Sequence, residues 1–302
     1  MKRGHALLLG VLASTPLGAQ EPPEFSAAVE AVHLDVFVSR DGEPLTGLRS
    51  EDFAVYDAGA RRQAEIVRRN EAPPLHVVLV LDTSRSVAGA RLDDLKAAAA
   101  DFLDGLGQGD RATLTSFAYR TRLESPIGAD PRSIEMGSLR GGGGTALFDA
   151  VYAGLLLADD SPGRRPIVVL FSDGEDGLSW LSSERIERTA RESAAVIFAI
   201  HSSRVEVPSD GTPADLARQR DPTARFLRRL AEDSGGRLWR ADEGELRAAF
   251  GRVLSELQSH YLLRFSPAPG ECAEWHEIEV ELQRRKGTVR TRRGYSALCG
   301  EP

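Results

Sequence analysis

Asp82, Ser84 and Ser86 stand at alternate positions directly after an apolar run, Leu75–Leu81. They offer a carboxylate and two hydroxyls, the oxygen donors that hard divalent cations prefer. Two other segments carry donors of the same kind. Gly141–Thr145 is a run of glycines ending in a hydroxyl, and Ser172–Gly177 sets Asp173, Glu175 and Asp176 just beyond the apolar run Ile167–Phe171. These two segments could complete a cation site begun by Asp82, Ser84 and Ser86. If a carboxylate acts only through water, the ion is incompletely neutralised and stays electrophilic toward a carboxylate from a partner. Mg²⁺ suits such a small octahedral site that keeps waters, and Mn²⁺ accepts the same oxygens. Each residue has a plainer reading as well. Asp82 and Ser84 could cap a helix starting near Gly89, Thr145 could be the N-cap of a helix from Ala146, and Ser172–Gly174 could be a turn. Their joint occurrence at three strand ends or helix starts is what favours a metal.

The elements that must position these loops alternate between strand and helix. Leu75–Leu81 and Ile167–Phe171 are short and rich in β-branched residues, as buried parallel strands are. Leu92, Leu95, Ala98, Ala99, Phe102, Leu103 and Leu106 recur at helical spacing, and Ala146–Ala158 and Ser182–Ser193 also read as helices. Ala112–Ala118, Ala195–Ile200 and Arg237–Arg240 read as strands. Phe226–Ala231 and Leu246–Leu257 read as the last two helices. Such alternation predicts an α/β fold, a doubly wound, mostly parallel, Rossmann-like sheet with right-handed crossovers. Ligands bind such sheets beyond the carboxyl ends of the strands, where all three donor loops fall.

The flanks read differently. Residues 26–70 hold an alternating strand (Val29, Val32, Leu34, Val36, Val38), a turn signal at Asp41-Gly42, and short runs at Asp52–Tyr56 and Ala64–Val67. Residues 259–297 return to strands at Tyr261–Phe265, Ile278–Leu282 and Val289–Arg292. Each flank alone is marginal for a core of its own. The economical expectation is one small β-sandwich built from both, with the α/β domain inserted. The alternative is two small sheets, each leaning on that domain. The resulting segments are a leader at 1–19, β segments at 20–72 and 259–302, and the α/β domain at 73–258.

Asp82-x-Ser84-x-Ser86, the Gly-rich loop ending at Thr145 and Ser172-Asp173-Gly174 together resemble the von Willebrand factor A domain. That resemblance covers roughly residues 73–258. It implies that Asp82, Ser84, Ser86, Thr145 and Asp173 form a metal-ion-dependent adhesion site, some as direct ligands and some through water. It also implies a function of binding a protein partner through an Asp or Glu carboxylate. Val36–Leu48, Glu51-Asp52-Phe53, Tyr261–Phe265, His276 and Arg293-Gly294-Tyr295 resemble a set of exported bacterial A-domain proteins named for acidobacteria.

Lys2 and Arg3, the apolar Ala6–Ala13 and then Pro16–Ala19 have the layout of a secretory signal peptide, with cleavage expected after Ala19. The expected location is periplasmic or secreted, with no membrane span after cleavage. In that compartment Cys272 and Cys299 are expected to pair. A net charge of −7 gives no basic footprint for nucleic acid. No phosphate-cradling Gly-Lys-Ser/Thr loop, Gly-x-Ser-x-Gly elbow or histidine motif is present, so no catalysis is expected. The rival readings are a hydrolase and an envelope scaffold whose metal only orders loops. Trp180, Glu175 and His201 are the expected partner-facing residues. The long Ser202–Asp221 segment, rich in Pro, Gly, Asp and Ser, is expected to rim the same face.

Overall fold

The computed structural model describes residues 31–68, 70–202, 221–241, 244–267 and 275–296. A six-stranded sheet lies at the centre. Its strands are β6 (Leu75–Asp82), β7 (Arg111–Phe117), β8 (Thr121–Leu123), β9 (Arg165–Ser172), β10 (Val196–His201) and β11 (Leu238–Arg240). Their spatial order is β11-β10-β9-β6-β7-β8, parallel throughout except for β8 at the edge. Every residue of β6 is buried, because the strand is covered on both faces. Leu75, Val77, Leu79 and Leu81 pack beneath α1 (Ala90–Asp104), while Val78 and Val80 point the other way, toward α2 (Leu147–Asp159). The two-residue period of a strand thus serves two cores. Of the remaining helices, α3 (Ser183–Glu192) and α4 (Pro222–Asp233) share the α2 side, and α5 (Leu246–Ser259) lies beside α1. The sheet is doubly wound, as the strand–helix alternation predicts.

The flanking segments interleave. On the N-terminal side are β1 (Val32–Arg40), β2 (Glu43–Pro44), β3 (Phe53–Asp57), β4 (Ala60–Arg62) and β5 (Ala64–Ile66). On the C-terminal side are β12 (Tyr261–Phe265), β13 (His276–Leu282), β14 (Thr288–Arg290) and β15 (Gly294–Tyr295). One sheet runs β14-β1-β12-β5 with β2 beside β1, and the other runs β15-β13-β3-β4. Leu34, Val36, Val55, Leu263, Phe265 and Val280 fill the space between them. This is the shared sandwich, not two separate sheets. Its hairpins turn at Asp41-Gly42 and Ala58-Gly59, where all four residues have positive φ, the backbone of tight hairpin turns.

β1 also ties the sandwich to the α/β domain. Its odd-numbered side chains leave the sandwich core, and Phe37 meets Phe198 of β10 edge-on at 5.6 Å between ring centres. Beside it, Asp35 forms an ion pair with Arg165 at the start of β9, and His260 Nε2 lies 3.0 Å from Asp35 Oδ1. Among the described residues no helix is long and apolar enough to cross a membrane. The proposed leader and both cysteines fall outside the described residues. The strands nearest the cysteines pair, His276 opposite Tyr295, and Cys272 precedes His276 by as many residues as Cys299 follows Tyr295.

Two predictions follow from this joint and these strands. Burial opposes the Asp35 charge, but His260 and Arg165 more than offset it and hold its carboxyl below its ordinary value of 3.8. A carboxylate so depressed contributes stability above 3.8 that is lost as pH falls through its folded value. Asp35→Ala, which leaves Arg165 uncompensated, should cost about 3–5 kcal/mol in urea unfolding. Asp35→Asn should flatten the acid side of the stability profile. Thiol labelling of denatured, unreduced protein should find no free cysteine, and two labelled thiols would refute the Cys272–Cys299 pairing.

Candidate metal centre

Parallel pairing of β6 with β9 sets Leu81 opposite Phe171, so the two loops that follow leave the sheet side by side. Asp82 closes β6 and is fully buried. Its Oδ1 accepts the Ser84 backbone N–H at 2.8 Å, and its Oδ2 accepts the Ser172 hydroxyl at 2.8 Å. The hydroxyls after Asp82 lead on to the second carboxylate. Ser84 Oγ is 3.0 Å from Ser86 Oγ, and Ser86 donates to Asp173 Oδ1 at 2.6 Å. Thr145 enters from the third loop, where its hydroxyl faces the backbone of Gly174, the residue after Asp173. Asp82, Ser84 and Asp173 are buried and form a floor; Ser86 and Thr145 are half-exposed at its mouth.

Backbone hydrogen bonds stitch the loops together. The Thr83 N–H reaches the Phe117 carbonyl, Gly142 N–H reaches Thr83, Arg85 N–H reaches Gly143, and the N–H groups of Gly177 and Leu178 both reach Thr145. Gly143 allows this closeness: its φ is +89°, and a Cβ there would stand 2.9 Å from the Tyr119 ring. The capping readings of the donor residues do not hold. Gly89 occupies the N-cap of α1, Ala146 that of α2, and neither helix start receives a cap from Asp82, Ser84 or Thr145. The α2 N-terminus is capped from another loop, by Asp176, which accepts the Leu147 N–H at 2.7 Å. Asp176 is therefore a tie between loops rather than a solvated charge. Asp149 returns the favour by accepting the N–H groups of Trp180 and Leu181.

The oxygens suit a hard cation. The set holds two carboxylates and three hydroxyls with no nitrogen or sulfur, which favours Mg²⁺ or Mn²⁺ over softer metals. Among the described residues no cluster of three or more His, Cys, Asp or Glu side chains could hold a metal, so an ion here would draw much of its coordination from hydroxyls. Asp173 Oδ2 is buried and receives no directed hydrogen bond; its contact is an ion pair with Arg91 Nη1 at 2.9 Å. Burial first, and the nearby Asp173 carboxylate as well, push the Asp82 carboxyl above its ordinary range despite hydrogen bonds from Ser84 and Ser172. Two carboxylates held close with one of them strained toward protonation are poised for a cation.

The partner-facing expectations divide. Trp180 is 93% exposed, Tyr119 and Leu178, both half-exposed, border the glycine loop, and Glu175 is exposed. His201 is not at the rim. It is 2% exposed, with Nδ1 2.9 Å from the Ser172 carbonyl and Nε2 2.7 Å from Asp221 Oδ2. The correction has a plain cause: a strand-end carbonyl and the N-cap carboxylate of α4 converge on the ring, so the side chain fixes β9 to α4. Of the Ser202–Asp221 segment only its two end residues lie within the described residues. The hydroxyl of Ser172 on Asp82 and the guanidinium of Arg91 on Asp173 have no local signal in the sequence, because their roles arise from contacts across the fold.

A raised carboxyl pKa makes the folded state bind more protons than the unfolded one, so stability falls as pH rises through that range. Asp82→Asn removes this penalty. With metal chelated, the variant should melt no lower than the wild type at neutral pH. Mg²⁺ should raise the wild-type melting temperature and leave the variant unmoved. Calorimetric melts with and without Mg²⁺ read both effects, and equal Mg²⁺ stabilisation of the two proteins would contradict them.

Residues 77–175 match the family model of the von Willebrand factor type A domain. A pig protein, inter-alpha-trypsin inhibitor heavy chain H4, is 25% identical over 134 residues, covering 40% of this chain and 14% of its own length. The chain therefore spans about a seventh of that relative. A von Willebrand factor type A structure from Catenulispora acidiphila superposes at a TM-score of 0.50 and 12% identity, over 92% of this chain and 78% of that one. Proximal thread matrix protein 1 from the mussel byssus, described with zinc in its MIDAS motif, gives a TM-score of 0.49 and 17% identity over 63% and 47% of the two chains. The segment that holds the three converging loops is thus similar to the von Willebrand factor type A domain.

Proposed function

We propose that the protein is an exported binding module that engages a partner's Asp or Glu side chain through a Mg²⁺ ion held by Asp82, Ser84, Ser86, Thr145 and Asp173. The observation that carries this reading is the run of hydrogen bonds from Asp82 through the Ser84 backbone N–H, and from the Ser84 hydroxyl through Ser86 to Asp173, with a buried floor and an open mouth. The bound ion would supply an electrophilic point to which a carboxylate can be added. The exposed Trp180, in the loop that follows Asp173, would supply an apolar anchor of the kind found at binding hot spots. Export rests on the three-part layout of residues 1–19.

The scaffold alternative, in which the metal only orders loops, is less well supported. The loops are already joined by backbone hydrogen bonds, so order does not depend on an ion. Binding, not catalysis, is the proposed role, because the sequence carries no phosphate-cradling loop, Gly-x-Ser-x-Gly elbow or catalytic histidine motif.

Mg²⁺ titrated into chelator-stripped protein should bind at one site per chain, and acetate or a glutamate-bearing peptide should tighten it. Asp173→Ala should abolish the heat while circular dichroism stays unchanged, since Asp173 lies beyond the end of β9. Trp180→Ala should leave Mg²⁺ affinity intact and weaken capture of the protein partner. Mg²⁺ binding that ignores added carboxylate would favour the scaffold.

A further inference from the structure

Arg91, in the first turn of α1, reaches across the edge of the sheet rather than out to water. Its side chain is 12% exposed and its Nη1 stands 2.9 Å from Asp173 Oδ2, which is itself 1% exposed. Its Nη2 donates to the Ser202 carbonyl at 3.3 Å and to the Ser202 hydroxyl at the end of β10. The guanidinium is thereby held in place from two strands. His201 and Asp221 pair with each other nearby, and Asp82 and Asp173 are the carboxylates of the site itself.

Charge balance gives Arg91 a role. The two carboxylates carry two negative charges against the one positive charge of Arg91. A divalent ion would reverse that balance and leave one positive charge in excess. A single carboxylate from a partner would then restore neutrality. Without Arg91, the ion alone would neutralise the site, and a third carboxylate would carry it into negative excess. In a partly buried site such differences are large, because charges a few ångströms apart interact far more strongly than in water.

We propose that Arg91 couples metal to partner: it holds the affinity for the bare ion down and reserves the site for ion and carboxylate together. This rests on the metal-binding reading above and adds to it a residue outside the donor set. Linkage makes the effect reciprocal, so the factor by which carboxylate tightens Mg²⁺ equals the factor by which Mg²⁺ tightens carboxylate.

The test is calorimetric titration of Mg²⁺ into wild type, Arg91→Gln and Arg91→Lys, each with and without acetate. Glutamine keeps a polar side chain but removes the charge; lysine keeps the charge. Arg91→Gln should bind bare Mg²⁺ about tenfold tighter than wild type, and acetate should tighten it much less. Arg91→Lys should follow wild type in both respects. Arg91→Met serves as a second neutral variant should the glutamine protein fail to fold by thermal melt. Folded neutral variants with unchanged or weaker Mg²⁺ affinity, or with undiminished response to acetate, would reduce Arg91 to a prop for Asp173 and overturn the proposal. A wild type that takes up no Mg²⁺ would overturn the metal reading along with it, which separates the two failures.

Discussion

Two carboxylates lie close together out of water at the carboxyl edge of the central sheet, and much of the surrounding structure answers to that constraint. Asp82 sits at the end of the most buried strand and Asp173 just past its parallel neighbour. Left to themselves they would repel each other and favour protonation. The fold meets this with directed partners: the Ser84 amide and Ser172 hydroxyl on Asp82, and the Ser86 hydroxyl and Arg91 guanidinium on Asp173. These partners satisfy geometry more fully than charge. A site that remains short of positive charge, with its floor buried and its mouth open, is one that a bound cation would neutralise.

The support beneath it is rigid for identifiable reasons. Asp176 caps α2 and Asp149 holds the backbone at Trp180, so two loops and one helix brace one another. His201 links the end of β9 to the start of α4. At the opposite side of the domain, Asp35, Arg165 and His260 join β1 to the α/β unit, while Phe37 packs on Phe198. β1 therefore belongs to two cores, and the sandwich is an integral support rather than an appended module.

Much of this was legible in the residues. The apolar runs at Leu75–Leu81 and Ile167–Phe171 announce buried parallel strands, and the donors just beyond them announce a strand-end site. The interleaved sandwich followed from each flank being too small to stand alone. What was not legible depends on contacts distant in sequence. Nothing local marks Arg91 as the partner of Asp173, or Asp176 as a cap for a helix that precedes it. His201 looked available because it ends a strand at the site face, and only the convergence of Ser172 and Asp221 shows why it is buried. The short edge strand β8 was missed because Thr121-Arg122-Leu123 has no buried residue and sets no apolar pattern.

The central claim is that Asp82, Ser84, Ser86, Thr145 and Asp173 hold one divalent ion. Anomalous diffraction from crystals grown with Mn²⁺ tests it most directly. The account predicts a single strong Mn peak among those five side chains, within coordination distance of Ser84 and Ser86. Crystals that take up Mn²⁺ elsewhere, or show no peak between the three loops at saturating Mn²⁺, would contradict it.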